Sequence, residues 1–275
     1  MTISERDGVF RLCIVLAVLA LPGALAAAFT AAAAFPAALA KAEGIRPTGA
    51  FWAGIFAVSP YAPFAAILAS CVYAFTALIL IRHYFEKNRS PEIIFLTLFA
   101  ISFSFEMFRC IYPLREIYML PNISLDIASR ALVFGRSLGI FSFFAAGVYA
   151  AGLDAQKQQR AVLLVLAAAA LAGLGCPVNA LFWNTSIAAL VGNGGMFFVI
   201  EAALSLAAAA SFFAAAHNRA EKLFLHAGGG VILALLGRRL LLDADNWYVM
   251  AAGFALLCIG TWRTCSPLHR VYLWL

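Results

Sequence analysis

The chain reads as an all-α polytopic membrane protein, a compact bundle of about eight transmembrane helices in four antiparallel hairpins with both termini cytoplasmic. Three observations predict this. Of 275 residues, 64% are hydrophobic and 12% charged, against roughly half and a quarter in soluble domains. The apolar residues fall in long runs separated by short polar links. Lysine and arginine are unevenly shared between alternate links. No soluble fold of this length hides so much apolar surface, so lipid is the solvent for most of it.

At about 20 apolar residues per span, helices are expected near 10–34, 61–83, 93–113, 127–152, 161–183, 196–217, 223–242 and 247–263. The first run follows Arg6 and Arg11 and contains small residues from Ala24 to Ala28, as a signal peptide does. It continues to about Phe35, however, well past an h-region of roughly 7–15 residues. It therefore reads as an uncleaved first helix; cleavage would leave seven spans and an outside N-terminus. The longest link, Pro36 to Pro60, holds Phe51, Trp52 and Phe56 and is expected along the outer interface. The links Glu86 to Glu92, Asp154 to Arg160, Asn218 to Lys222 and Asp243 to Asn246 are short. Short links favour antiparallel neighbours.

Residues 1–265 thus form one transmembrane bundle. Residues 266–275 are too short to span, and His269, Arg270, Tyr272 and Trp274 point to a tail on the inner surface. With the N-terminus inside, eleven Lys and Arg residues fall on the inner side and five (Lys41, Arg46, Arg115, Arg238, Arg239) on the outer side. This agrees with the positive-inside rule. The expected setting is a cell membrane crossed many times, a bacterial inner membrane. Small residues cluster at Ala167 to Ala170, Ala207 to Ala210 and Gly228 to Gly230. Close helix approach needs such side chains; a hinge at the triple glycine is the alternative.

Charged residues inside the apolar runs mark the candidate site, because a charge in hydrocarbon costs at least a few kcal/mol unless paired or wetted. At 1.5 Å per residue, Glu106, Arg136 and Glu201 lie about 10, 13 and 8 Å below the outer end of their helices. Arg109, Arg130, Arg238 and Arg239 are shallower on the same side. Ser102, Glu106, Arg109 and Pro113 share one face of the third helix. Arg130 lies about 240° around the fourth helix from Arg136, which leaves it to reach the interface on its own. Pro177 is expected to break or kink the fifth helix, freeing backbone carbonyls beside Asn179.

Two readings of the charges compete. In the first, Glu106 pairs with Arg109 or Arg136 and Glu201 with Arg238 or Arg239, fixing helix register and nothing more. In the second, an arginine excess forms a pocket for an anion, because the guanidinium fork fits phosphate and carboxylate. The ligand set is then Glu106, Arg109, Arg136, Glu201, Arg238, Arg239, Arg130 and Asn179, with an anionic small molecule or lipid headgroup as ligand. Membrane lipids are the surrounding partners, and a cytoplasmic or membrane protein partner would receive the signal. Alternatives are a transporter or channel subunit using Glu106 and Glu201, a lipid-modifying enzyme, and a structural subunit of a membrane complex.

Other features carry less. The net charge of +6 comes without a basic run, so nucleic acid is not an expected partner. His83, His217, His226 and His269 fall toward the inner side without metal-ligand spacing, and no cofactor is implied. No nucleophile elbow, P-loop or HExxH motif occurs, which weighs against an enzyme. Asn122-Ile123-Ser124 and Asn184-Thr185-Ser186 match the glycosylation triplet. The six cysteines read as small buried hydrophobes, with a Cys110–Cys176 bridge the one pairing worth considering. Asp243 and Asp245 are expected in an outer turn, solvated or paired with Arg238 or Arg239.

Overall fold

Eight of the apolar runs form helices, each long and apolar enough to cross a membrane. The computed structural model describes residues 3–34, 58–85, 90–153, 155–192, 194–218 and 222–273. The helices are α1 (Ile3–Ala34), α2 (Ala62–Phe85), α3 (Glu92–Tyr118), α4 (Asn122–Ala150), α5 (Gln158–Gly175), α6 (Gly194–Asn218), α7 (Lys222–Leu242) and α8 (Trp247–Leu273). The chain is a multi-pass membrane protein. Residues 35–57 of the long link, with Phe51, Trp52 and Phe56, lie outside the described residues, as does Trp274.

The third helix is the buried axis of the bundle. Every residue of its first turns, from Glu92 to Ser102, is buried against protein. It packs against α1, α2 and α4. An aromatic layer joins them: Phe99 meets Phe103 and Phe143 edge-on, Phe103 meets Tyr73, and Phe95 stacks on Tyr149. The fourth helix comes close because Gly135 and Gly139 face Phe105 and Ser102, where a Cβ would collide. In turn, α4 supports α5 and α6.

The closest helix pair is α7 with α8. Gly230 and Gly237 on one side and Gly253 and Gly260 on the other bring the backbones together, so a Cβ on Gly260 would meet the main chain of Ala234. Of the triple glycine, Gly228 packs on Phe213 and Gly230 on Thr264, while Gly229 faces open space. The helix runs unbroken through all three.

Three expectations need correction. The fifth helix stops at Gly175 rather than near 183. Pro177 forces Cys176 into an extended conformation (φ −72°, ψ 127°), and an antiparallel hairpin follows, β1 (Val178–Trp183) with β2 (Ala189–Val191). Among the described residues, this one short hairpin interrupts an otherwise all-α bundle. Because this hairpin intervenes, α5 and α6 make no substantial mutual contact among the described residues; both lean on α4 instead. The arrangement is thus not four simple hairpins. Finally, residues 266–273 continue α8 through Pro267, and His269 packs edge-on against Tyr84 and Phe85 of α2. All six cysteines are free, Cys110 and Cys176 included.

The α7–α8 seam yields the first prediction. Gly260→Val should destabilise the protein by at least about 2 kcal/mol through overpacking, whereas Gly229→Ala should be neutral or slightly stabilising. Denaturant titration in detergent micelles compares the two directly.

Candidate functional site

The site begins with a change of helix type. At Ser102, whose hydroxyl donates to the Phe99 carbonyl at 2.6 Å, α3 tightens into a 3₁₀ stretch from Phe103 to Cys110. Side chains three residues apart are eclipsed in such a helix. Glu106 and Arg109 therefore stand one above the other, and Arg109 Nη1 donates to Glu106 Oε2 at 3.2 Å. The β-hairpin turn closes over this pair: Arg109 Nε donates to the Ile187 carbonyl at 3.4 Å. Ile187 is buried and has a left-handed backbone (φ 57°). Arg109 Nη2 is buried without a hydrogen-bond acceptor.

From Glu106 the charges run on through three further helices. Arg136 of α4 grips the carboxylate with two parallel bonds, Nε to Oε1 at 3.0 Å and Nη2 to Oε2 at 3.1 Å. Its Nη2 also reaches the Leu242 carbonyl at 3.3 Å, and its Nη1 lies 3.8 Å from Asp243. Asp243 pairs with Arg239 at 2.9 Å, and Arg239 pairs with Glu201 of α6 at 3.1 Å. The other oxygen of Glu201 pairs with Arg238, whose Nη2 donates to the Arg136 carbonyl at 2.7 Å. The chain of contacts thus closes into a ring that ties α4, α6 and the end of α7 together, with α3 attached through Glu106.

Four arginines face three carboxylates, leaving one excess positive charge. Exposure grades across the ring. The side chains of Arg109, Glu106 and Arg238 are 0%, 2% and 3% exposed; Arg136 and Glu201 are 25% exposed, and Arg239 reaches 46%. Charge is therefore sealed at the α3 end and open at the α6–α7 end. At the open end, the Arg239 guanidinium also lies 5.4 Å over the Phe198 ring.

Below the open end runs a groove of about 590 Å³ between α6 and α7. Glu201 and Arg239 border it, and Leu206, Phe213, Ile232 and Leu236 form much of its apolar length. Ala202, Ala209 and Ala210 supply its depth, since small side chains leave space where the two helices diverge.

Six of the eight expected ligand residues, Glu106, Arg109, Arg136, Glu201, Arg238 and Arg239, come together. Arg130 stays apart: it pairs with Asp126 at 2.9 Å and donates to the Leu174 carbonyl at 2.5 Å, joining α4 to the end of α5. Asn179 sits exposed on β1, paired with Leu190, and forms no part of the ring. The pairings expected separately for Glu106 and for Glu201 turn out to be one system. Asp243 links them, paired with Arg239 at 2.9 Å as its i,i+4 spacing allows and lying 3.8 Å from Arg136. The glycosylation triplet at Asn184 has a structural use: its Oδ1 accepts from Ser186 Oγ and the Ala188 amide and so shapes the hairpin turn.

Removing one partner of a buried pair leaves an uncompensated charge, at about 3–5 kcal/mol. Glu106→Gln, which strands two guanidiniums, should therefore lower unfolding stability by about that amount. Arg130→Gln, in an exposed pair, should cost no more than about 1 kcal/mol. Equilibrium unfolding in mixed micelles measures both. The chain matches no family model, no curated protein and no solved structure, so fold and site rest on sequence and geometry.

Proposed function

We propose that this protein is a membrane-embedded binding module for an anionic amphiphile, either a lipid or a lipid-like molecule. Its acidic head sits at Arg239, and its hydrocarbon chain lies between α6 and α7. One observation carries the reading: the apolar groove ends at Arg239, the most exposed arginine of the ring. Arginine's planar fork suits phosphate or carboxylate, and the ring holds one positive charge more than its own carboxylates neutralise.

The same ring gives binding a route to the rest of the bundle. An anion at Arg239 competes with Asp243 and Glu201 for its guanidinium. Asp243 then pairs more with Arg136, which holds α3 through Glu106. A ligand shifts such an arrangement only by the difference in its affinity for the two pairings. Movement of α7 against α4 is the signal a partner protein would read. A ring that merely fixes helix register is the rival reading, and it assigns no ligand to the groove.

The test compares thermal stability in phosphatidylcholine nanodiscs with and without added phosphatidylglycerol or oleate. Wild type should gain stability from the anionic amphiphile. Arg239→Gln should weaken that response by at least about tenfold in apparent Kd, the value of one charge-assisted hydrogen bond. Ala210→Trp, which fills the groove without touching the ring, should also abolish it. Arg130→Gln should respond as wild type does. Equal responses from wild type, Arg239→Gln and Ala210→Trp would leave the register reading standing.

A further inference from the structure

A second cluster of arginines lies at the opposite end of the bundle. Arg6 and Arg11 project from the start of α1, and Arg82 from the end of α2. Together with Asp7, Phe10 and Phe85 they line a cavity of about 60 Å³. Three guanidiniums share it with one carboxylate among these lining residues. Arg6 is 8% exposed, an unusual depth for arginine, and Phe10 and Phe85 are buried as its apolar walls. Arg11 and Arg82 are exposed and close the rim.

The surroundings of the cavity decide what it takes. In line with Arg11 on α1, Val15 and Val18 are 53% and 47% exposed, and on the adjoining face Leu12, Leu16 and Leu19 are 59%, 45% and 65% exposed. Along α2, Ile79 and Leu80 are exposed in the same way. The cavity therefore stands at the margin of a lipid-facing wall, where the apolar spans of both helices begin or end. A free metabolite has no use for such a wall, while a phospholipid fits both parts at once. Basic pockets between transmembrane helices recognise lipid phosphates by this combination of charge and depth.

We propose that the Arg6–Arg11–Arg82 cavity binds the phosphate of an anionic lipid headgroup, with the acyl chains against the exposed leucines of α1. This site is separate from the groove at Arg239 and does not depend on it. Arg6, buried between the helices, supplies the fixed charge; Arg11 and Arg82 fold over the phosphate from either side.

The experiment uses the full chain carrying Arg239→Gln, so that the groove is not counted. It is placed in phosphatidylcholine nanodiscs titrated with phosphatidylglycerol, and bound lipid is counted by native mass spectrometry. Arg11→Gln and Arg82→Gln should each weaken phosphatidylglycerol retention by about fivefold. Both positions are exposed, so the substitutions leave the core intact. Lys157→Gln with Arg160→Gln removes two charges from the same end of the bundle, twice what either single variant removes, and should leave retention unchanged. Equal loss in that control would reduce the effect to general surface charge and overturn the proposal. So would unchanged retention in Arg11→Gln and Arg82→Gln. A third arm adds inorganic phosphate to the nanodiscs that carry phosphatidylglycerol. Displacement of phosphatidylglycerol by millimolar phosphate would assign the cavity to a soluble anion instead of a lipid.

Discussion

The two parallel bonds from Arg136 to Glu106 set the terms for the rest of the bundle. Neither charge survives in hydrocarbon alone, so α3 and α4 must meet with their heights matched to within a hydrogen bond. That match requires α4 to come close, which Gly135 and Gly139 permit, and α3 to present Glu106 over Arg109, which the 3₁₀ stretch provides. The aromatic layer of Phe99, Phe103 and Phe143 packs just beyond it and fills the remaining space.

Charge then dictates where the later helices go. Arg238 and Arg239 are consecutive, so they leave α7 on adjoining faces, and a single carboxylate lying between them serves both. Glu201 fills that place and draws the start of α6 to the end of α7. The remainder of α6 is tied to α4 through small residues, with Gly147 against Ala208 and Ser211. Held at one end by charge and on one face by packing, α6 separates from α7 along its exposed side. The groove is the consequence of that separation. The structure thereby connects a requirement of stability, neutralised charge, to the feature on which the functional proposal stands.

Much of this was legible in the sequence, and for physical reasons. Twenty-residue apolar runs leave little choice but helices, and the shared depth of Glu106, Arg136 and Glu201 followed from counting residues along them. The angular offset of Arg130 correctly separated it from Arg136. The β-hairpin was hidden because Ala180, Leu181, Phe182 and Trp183 extend an apolar run, and short apolar runs do not distinguish strand from helix. Of the break or kink that Pro177 leads one to expect, it is the break that occurs, and α5 ends at Gly175. The change to 3₁₀ geometry at Phe103 has no composition signal at all. The groove escaped because alanines mark close packing and open space equally well. Only the position of α5 and α6 on α4 tells which, and that position depended on the unseen hairpin. Asp243, expected solvated or paired with Arg238 or Arg239, is paired with Arg239 four residues before it.

The central claim is that charges from separate helices form one coupled system. A double-mutant cycle between Arg136→Gln on α4 and Arg239→Gln on α7 tests it, because both hold Asp243. Unfolding free energies in mixed micelles should show a coupling of about 0.5 kcal/mol or more, as residues of one ion network do. Additivity within about 0.3 kcal/mol would mean that the two arginines act independently, and the ring would not exist as a unit.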